Sequence, residues 1–439
     1  MAIAQAPPPP TTPLCVDLDG TLVRSDLLLE SLLVLIKRNP LYAFYVPFWL
    51  LRGKAFFKAA VTARVSISPT ALAYDRKLLD RLQMEYEAGR PLWLCAAANE
   101  PLAAPVAAHL KVFAGVLPGQ GGAAGLVEHF GAGKFEHCAN QSSHAATATQ
   151  ACVAVRALRP HQWAKNTLLL VPLLAAHRLG DARVLANSGL AFLAFCACAS
   201  SVYVLNDLLD LEADRAHPRK SKRPFAAGDL SIGVGLAMVP GLLALAVAIA
   251  IFLPPRFAEV LATYFALTTA YSFYLKRFML IDALALAGLY TLRIIAGAAA
   301  VDVPLSFWML LFSVFLFLSL AFVKRFAELN DLRRQNGLQA AGRGYRVEDL
   351  SVLQSLGSAA GYLSVLVLAL YINSPEIGVL YHRPKLVWML CILMLYWISR
   401  IWMMAQRGAV HDDPVLFALK DRQSLAIGLA AAITVALAV

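Results

Sequence analysis

The distribution of apolar and polar positions divides the chain near residue 160. Residues 1–150 mix alternating and helical apolar patterns with polar segments. A short strand-like run leads into Cys15-Val16-Asp17-Leu18-Asp19-Gly20-Thr21-Leu22, and a second covers Pro91 to Ala98, which predicts an α/β domain over 14–150. From about 162 onward apolar stretches recur at roughly 164–180, 183–205, 230–253, 257–275, 279–300, 304–323, 352–372, 385–404 and 423–439. A helix needs about 20 residues to cross the hydrocarbon layer. Nine spans therefore fit, the first short and interrupted by Pro172. Period-2 alternation is absent from this half, so the spans are helices, the form that satisfies its own backbone in lipid.

Composition agrees with that division. Hydrophobic residues make up 59% of the 439 positions and charged residues 15%. Such a balance excludes a wholly soluble enzyme, which would expose large apolar patches, and excludes disorder as well. The seven cysteines (15, 95, 138, 152, 196, 198 and 391) show neither a CxxC pair nor zinc spacing and read as reduced packing residues. Residues 1–13, proline-rich from Ala6 to Pro13, form a flexible lead without the basic start and apolar core of a secretory signal, so the front domain is expected in the cytoplasm.

The net charge of +11 is better explained by membrane topology than by nucleic acid, for which no fold signature is present. Basic residues crowd alternate loops: Arg215 to Arg223, Lys276-Arg277, Lys324 to Arg346, and Arg400 to Arg422. The opposite loops carry only Arg178, Arg183, Arg256, Arg383 and Lys385. This bias predicts a multi-pass membrane protein with the front domain and the basic loops on the cytoplasmic side and the C-terminus outside, and the Ala- and Leu-rich composition points to a bacterial inner membrane.

One loop carries concentrated chemistry. Asn206-Asp207-Leu-Leu-Asp210-Leu-Glu212-Ala-Asp214-Arg215 follows the second span without a break. On a continuous helix Asp207, Asp210 and Asp214 fall at i, i+3 and i+7, so three carboxylates would share one face. Like charges that close need a cation, and Mg²⁺, which takes oxygen ligands and shares them with phosphate, suits them best. The run Arg219-Lys220-Ser-Lys222-Arg223 beside them would hold a diphosphate from the other side. The bland alternative is an acidic helix end satisfied by that basic run.

Asn206-Asp207-x-x-Asp210-x-x-x-Asp214 is similar to the first aspartate-rich motif of the UbiA superfamily of intramembrane prenyltransferases. That resemblance implies nine transmembrane helices around a lateral lipid-facing cavity. Arg159 to Asn166 (RPHQWAKN), Asp214 to Pro218, Tyr271-Ser272 leading to Lys276, Arg293 to Gly297, and Lys324 to Leu329 resemble the decaprenyl-phosphate phosphoribosyltransferase branch. The likeness covers about residues 156–439. It implies transfer of a phosphoribosyl group from phosphoribosyl pyrophosphate to a polyprenyl phosphate, with Asp207, Asp210 and Asp214 as catalytic metal ligands.

Asn206, Lys165, Asn166 and Lys276 would join the substrate site, and Lys324 and Arg325 would hold a phosphate or serve as an ordinary basic collar at a span end. Arg293, a single charge in an apolar span, should face an interior anion. The family's second aspartate-rich motif, DxxxD, has no clean copy. Asp282, Asp413 and Asp421 are candidate second metal ligands, each equally readable as a cap or loop charge.

The front motif, Asp17-Leu18-Asp19-Gly20-Thr21, resembles motif I of the haloacid dehalogenase (HAD) phosphohydrolases, in which the first Asp is the nucleophile, the second the acid/base, and Mg²⁺ lies between. The remaining motifs are missing: Ala96-Ala97-Ala98-Asn99 lacks the Ser or Thr, no lysine appears near Gly119 to Ala124, and Phe135 to His144 has no Asp, with Glu136 poorly placed to substitute. Asp17 and Asp19 are thus expected to be vestigial. The apolar stretch within 27–60 reads either as a cap on this core or as two short helices dipping into the membrane interface.

The predicted architecture is mostly α, a nine-helix UbiA-type bundle preceded by a cytoplasmic α/β HAD-like domain. Two other functions compete: prenyl transfer from a polyprenyl diphosphate to an aromatic or other small acceptor, and cation-coupled transport. The partners implied are a polyprenyl lipid in the bilayer and a phosphorylated or diphosphate donor; self-association into a homo-oligomer is left open.

Overall fold

A computed structural model describes residues 12–65, 67–96, 100–118, 123–138, 147–176, 178, 180–335, 343–375, 377, 381–410 and 413–439. The proline-rich lead up to residue 11, the strand end at 97–99, the glycine stretch at 119–122 and residues 139–144 lie outside the described residues. The chain forms two compact units, Met1–Leu158 with Tyr203–Gly241, and Arg159–Val202 with Leu242–Val439. The acidic and basic loop of the sequence motif thus groups with the front residues.

In the first unit four strands, β1 (Leu14–Asp17), β2 (Leu92–Ala96), β3 (Gly115–Pro118) and β4 (Glu136–Cys138), form a parallel sheet in the order β3-β2-β1-β4. Successive side chains point to opposite faces, and the two faces build two cores. Leu14, Val16, Leu92 and Leu94 pack with Leu27, Leu32, Trp49, Phe57 and Val61 on one side. Cys15, Cys95 and Leu117 pack with Leu126 and Phe130 on the other. A parallel sheet buried on both faces needs such near-continuous apolar strands.

The helix Leu27–Arg38 starts where the Asp26 carboxylate accepts the backbone N–H groups of Leu28 and Leu29, each at 3.0 Å, and it ends on Lys37 and Arg38. Tyr42–Leu51 and Lys54–Thr62 follow as two short helices. In the same unit the basic loop after Asp214 is pinned by Phe225, fully buried. Its ring lies so close to Gly235 that a Cβ there would approach to 2.7 Å.

The spans depart in part from the nine expected. Among the described residues, six helices are long and apolar enough to cross a bilayer: Ala182–Leu209, Ile232–Ala250, Ile281–Val301, Phe307–Arg334, Val347–Ile372 and Pro384–Gln406. Pro414–Lys420 and Arg422–Ala438 meet at 81° and make a seventh if they count as one broken span. The expected first span is instead the 3₁₀ run Pro160–Leu170 followed by the five-residue helix Val171–Ala175. Pro172 accounts for part of this, since it has no N–H to continue a helical ladder and sits comfortably only in a first turn. Pro255–Phe273 has a span's length, 19 residues, but Arg256, Glu259 and a tail of Thr, Tyr and Ser make it less apolar.

The second unit's core lies between Ile281–Val301, Phe307–Arg334, Leu350–Ile372 and Pro384–Gln406, filled by Tyr290, Phe317, Phe322, Phe326, Ile398 and Trp402. Close approach depends on glycine: a Cβ on Gly357 would come within 2.2 Å of the Trp402 ring, and one on Gly297 within 2.0 Å of the Leu169 carbonyl oxygen. Small residues at helix contacts are how membrane bundles gain packing when no hydrophobic drive separates helix from lipid.

Candidate active site

The acidic motif does not form one continuous helical face. The helix Ala182–Leu209 stops at Leu209, and Asp210 (φ −104°, ψ 17°) caps a new helix, Leu211–Ala216. This break separates the three carboxylates. Asp207 and Asp214, both almost fully buried, converge on one nitrogen: Arg223 Nη1 donates to Asp207 Oδ1 at 3.1 Å and to Asp214 Oδ2 at 2.5 Å. Asp210, more exposed, meets Lys37 Nζ at 2.7 Å. Arg223 therefore lies between carboxylates rather than in the exposed basic run. Arg219, Lys220 and Lys222 remain on the surface of the loop, and the backbone N–H groups of Arg219 and Lys220 donate to His217 Nδ1. Asn206 accepts the Asp210 backbone N–H with its carbonyl.

Among the described residues no three His, Cys, Asp or Glu side chains converge as a ready metal cage. The pair Asp207 and Asp214 nevertheless suits a hard cation. Two buried carboxylates already share a single positive centre, and Mg²⁺ is typically held by one or two carboxylates with substrate phosphates and waters completing its shell.

The next residue, Arg215, is anchored by the front segment. It donates to Glu30 Oε1 at 2.6 Å and Oε2 at 3.1 Å, to the Ala71 carbonyl at 2.8 Å and to the Ala226 carbonyl at 3.2 Å. Glu30 also accepts from Ser25 Oγ at 2.8 Å. The sequence pointed to neither Glu30 nor Lys37 as a partner of the motif, because they lie more than 170 residues away. A buried carboxylate on the apolar face of Leu27–Arg38 was the available signal.

At the sheet, β1 and β4 are neighbours where the strand order reverses, and Asp17 ends β1 at that switch point, the usual ligand crevice of such sheets. Asp17 Oδ1 lies 3.1 Å from His137 Nε2. Asp19 accepts the Leu27 backbone N–H at 3.3 Å. Glu136 pairs in register with Leu14, at the other end of β1 from Asp17. It is committed to Arg90 at 2.6 Å and Arg81 at 3.0 Å, and Arg90 holds its carboxyl below the ordinary glutamate range.

The second unit holds its own polar cluster. Asp413, buried, accepts Lys165 Nζ at 2.8 Å, Lys324 Nζ at 3.2 Å and Tyr290 OH at 2.7 Å. Arg293 is buried and faces neutral acceptors. It donates to Asn166 Oδ1 at 3.0 Å, Tyr264 OH at 2.9 Å and the Leu289 carbonyl at 2.5 Å, and lies over the Tyr264 and Tyr290 rings. Two lysines and a tyrosine thus surround one carboxylate, and Arg293 stacks on that same tyrosine. An apolar cavity of about 250 Å³ opens beside them, lined by Leu168, Ile294, Phe317, Leu320 and Val415, each within a turn or two of a cluster residue. Phe312, Leu316, Trp397 and Ala418 also line a second apolar cavity of about 610 Å³ that reaches Leu425 and Leu429.

Other candidates are placed differently. Asp282 and Arg325 form a fully buried pair, with Tyr271 OH on Asp282 at 2.8 Å and Glu328 on Arg325 at 2.6 Å. Asp421 caps the helix Arg422–Ala438 through Ser424 and pairs with Arg400 at 2.7 Å. Both carboxylates thus have cationic partners. Lys276 sits half-buried in the 3₁₀ turn Leu275–Arg277. Sequence reasoning passed over Tyr264 and Tyr290 and offered Asp413 as a second metal ligand, a cap or a loop charge; it does cap the helix Pro414–Lys420.

The profile of the UbiA prenyltransferase family matches residues 167–420. This chain belongs to that family. Asp207, Asp214, Arg223, Arg293, Lys324 and Asp413 all fall inside the matched UbiA residues, whereas Lys165 and Asn166 lie just before them. An uncharacterized protein of Sinorhizobium fredii is 33% identical over 95% of this chain and 89% of its own, so the front unit is included in that likeness. The nodulation protein NoeC of Azorhizobium caulinodans is 39% identical over 62% of this chain and 90% of its own. Decaprenyl-phosphate phosphoribosyltransferase of Mycolicibacterium smegmatis is 43% identical over 40% of this chain and 56% of that protein. A UbiA homolog from Archaeoglobus fulgidus, solved bound to GPP and Mg²⁺, aligns with a TM-score of 0.50 at 17% identity, over 65% of this chain and 98% of that one, a likeness of fold. The protein is a multi-pass integral-membrane UbiA-family transferase.

Proposed function

We propose that this transferase moves a phosphoribosyl group from phosphoribosyl pyrophosphate to a polyprenyl phosphate at the cytoplasmic face of an inner membrane. The observation that carries the acceptor is the cationic cluster of Lys165, Lys324 and Arg293, whose chain neighbours Leu168, Leu320 and Ile294 line an apolar cavity, a combination suited to a lipid with a phosphate head. The 43% identity to decaprenyl-phosphate phosphoribosyltransferase supports the donor.

In the reaction, a phosphate oxygen of the acceptor attacks the ribose C1. A new C1–O bond forms as the C1–O bond to diphosphate breaks, and the electron pair leaves with diphosphate. No protein nucleophile is required. Asp207 and Asp214, with Asp210 after release from Lys37, are the residues that would hold Mg²⁺. What the cation supplies when bound is neutralisation of the charge that develops on the leaving diphosphate. Arg219, Lys220 and Lys222 grip the same diphosphate by charge-assisted hydrogen bonds, and Arg223 moves from the carboxylates toward it. Lys165 and Lys324 share Asp413 and keep surplus positive charge for the acceptor's phosphate, while Asn166 and Tyr264 fix the Arg293 plane.

In the front unit, Asp17 bound to His137, Asp19 spent on the Leu27 N–H and Glu136 displaced along β4 favour a HAD-like scaffold without hydrolase activity.

The test is a donor assay. Membranes containing the protein receive labelled phosphoribosyl pyrophosphate with decaprenyl phosphate, or a labelled polyprenyl diphosphate with a small aromatic acceptor. Label from the ribose should enter the lipid extract. Consumption of the prenyl diphosphate alone would overturn the reading and favour prenyl transfer.

A further inference from the structure

The helical pair Tyr42–Leu51 and Lys54–Thr62 has two unlike faces. Trp49, Phe57 and Val61 are buried in the core under the sheet, with Arg64 stacked 5.3 Å over the Trp49 ring. Leu41, Phe44, Phe48 and Leu51, at i, i+3, i+7 and i+10, share the other face. Phe44 is 74% exposed, Phe48 65% and Leu51 85%. Gly53, at φ +99°, turns the chain sharply between the helices, a conformation that L side chains rarely adopt, so the pair is presented as a fixed wedge. An apolar face this bare on a folded domain requires a covering.

Two observations identify it. First, between Glu30 and Asp75 the chain has no acidic residue, while Lys37, Arg38, Arg52, Lys54, Lys58 and Arg64 supply six cations. Second, the helix Leu27–Arg38, which leads directly into the pair, touches the ends of two membrane spans within its own unit. Lys37 Nζ meets Asp210, the residue after Ala182–Leu209, at 2.7 Å. Leu29 lies 3.9 Å from where a Cβ on Gly233 would stand, at the start of Ile232–Ala250. Span ends mark the level of the lipid headgroups. Helices of ten and nine residues reach about 15 Å, half of a hydrocarbon layer about 30 Å thick, so they lie in the interface rather than cross it.

We infer that the Tyr42–Leu51/Lys54–Thr62 pair rests on an anionic bilayer surface, with Phe44, Phe48 and Leu51 among the upper acyl chains and Arg52, Lys54 and Lys58 on lipid phosphates. This is the pattern of an interfacial amphipathic anchor: an apolar face sunk at the acyl boundary and a basic rim drawn to anionic lipid. The anchor is independent of which substrate the transferase uses.

The full chain carrying Cys152→Ser is labelled with an environment-sensitive fluorophore at Phe44→Cys or, separately, Leu51→Cys, and placed in nanodiscs of phosphatidylcholine with or without phosphatidylglycerol. Met84→Cys, exposed in the same unit, is the reference. At 44 and 51 the emission should shift to the blue, lipids bearing a shallow doxyl group should quench several-fold more than at 84, and iodide should quench several-fold less. Arg52→Glu with Lys54→Glu should weaken the doxyl quenching most in the phosphatidylglycerol discs. Equal iodide access at 44, 51 and 84 would overturn the inference. So would protection from both quenchers, which would mean a protein surface, such as a second copy, covers the face.

Discussion

Glu30 offers the sharpest test of how the front segment and the acidic motif depend on each other. Its carboxylate and the Arg215 guanidinium are both buried, and among the described residues Arg215 reaches two further acceptors, the carbonyls of Ala71 and Ala226. Removing one partner of a buried pair leaves the other charge uncompensated, at a cost of about 3–5 kcal/mol. Glu30→Ala should lie in that range. Glu30→Gln keeps the shape and one acceptor oxygen but loses the charge, and should cost about 2 kcal/mol.

At about 1.4 kcal/mol per tenfold, Glu30→Ala should raise local opening roughly a hundredfold or more. The assay is hydrogen exchange of the full chain in detergent, followed in peptides spanning 25–38, 67–75 and 211–230, because local opening is read segment by segment. The Glu30→Leu/Arg215→Met double variant should return close to the parent, since an apolar pair of similar volume is often neutral or better. Unchanged exchange in Glu30→Ala, or a double variant whose loss is the sum of the singles, would refute the pair as the fastening.

Three further outcomes are expected. Asp207→Asn and Asp214→Asn should each reduce transfer by about a hundredfold, and the double variant should lose little more, because both carboxylates serve one cation; multiplicative losses in a membrane transfer assay would contradict this. Gly297→Ala, which aims a methyl at a backbone carbonyl, should destabilise more than Gly357→Ala, which meets a ring; overpacking of this kind costs about 1–3 kcal/mol, read as the order of thermal unfolding midpoints in detergent. Because Arg90 depresses Glu136, this pair's stabilisation is full above the unfolded glutamate pKa of about 4.3 and fades as pH falls through the lower folded value. Glu136→Gln should therefore narrow the stability difference between neutral and acid pH, followed by fluorescence of Trp93 on β2.

Several features were legible in the sequence because they are local or periodic. Apolar runs of span length announce a helical membrane protein wherever they fold, since lipid leaves the backbone no other partner. Family membership followed from Asn206, Asp207, Asp210 and Asp214 at their spacing. The strand-like run into Asp17, and its parallel partner ending at Ala96, follow from short apolar segments bounded by polar ones.

Tertiary structure decided the rest. Helical spacing placed three aspartates on one face, but the helix breaks at Asp210, so Asp207 and Asp214 share Arg223 while Asp210 turns to Lys37. Asp413 is readable in the sequence as a metal ligand, a cap or a loop charge; it does cap a helix, and it is also the centre of a cationic cluster, because its neighbours come from Lys165, Tyr290 and Lys324, scattered over 159 positions of chain. Sequence spacing carries distance only along a single element. Charges brought together from separate elements meet by packing, and their partners become visible only when the chain is folded.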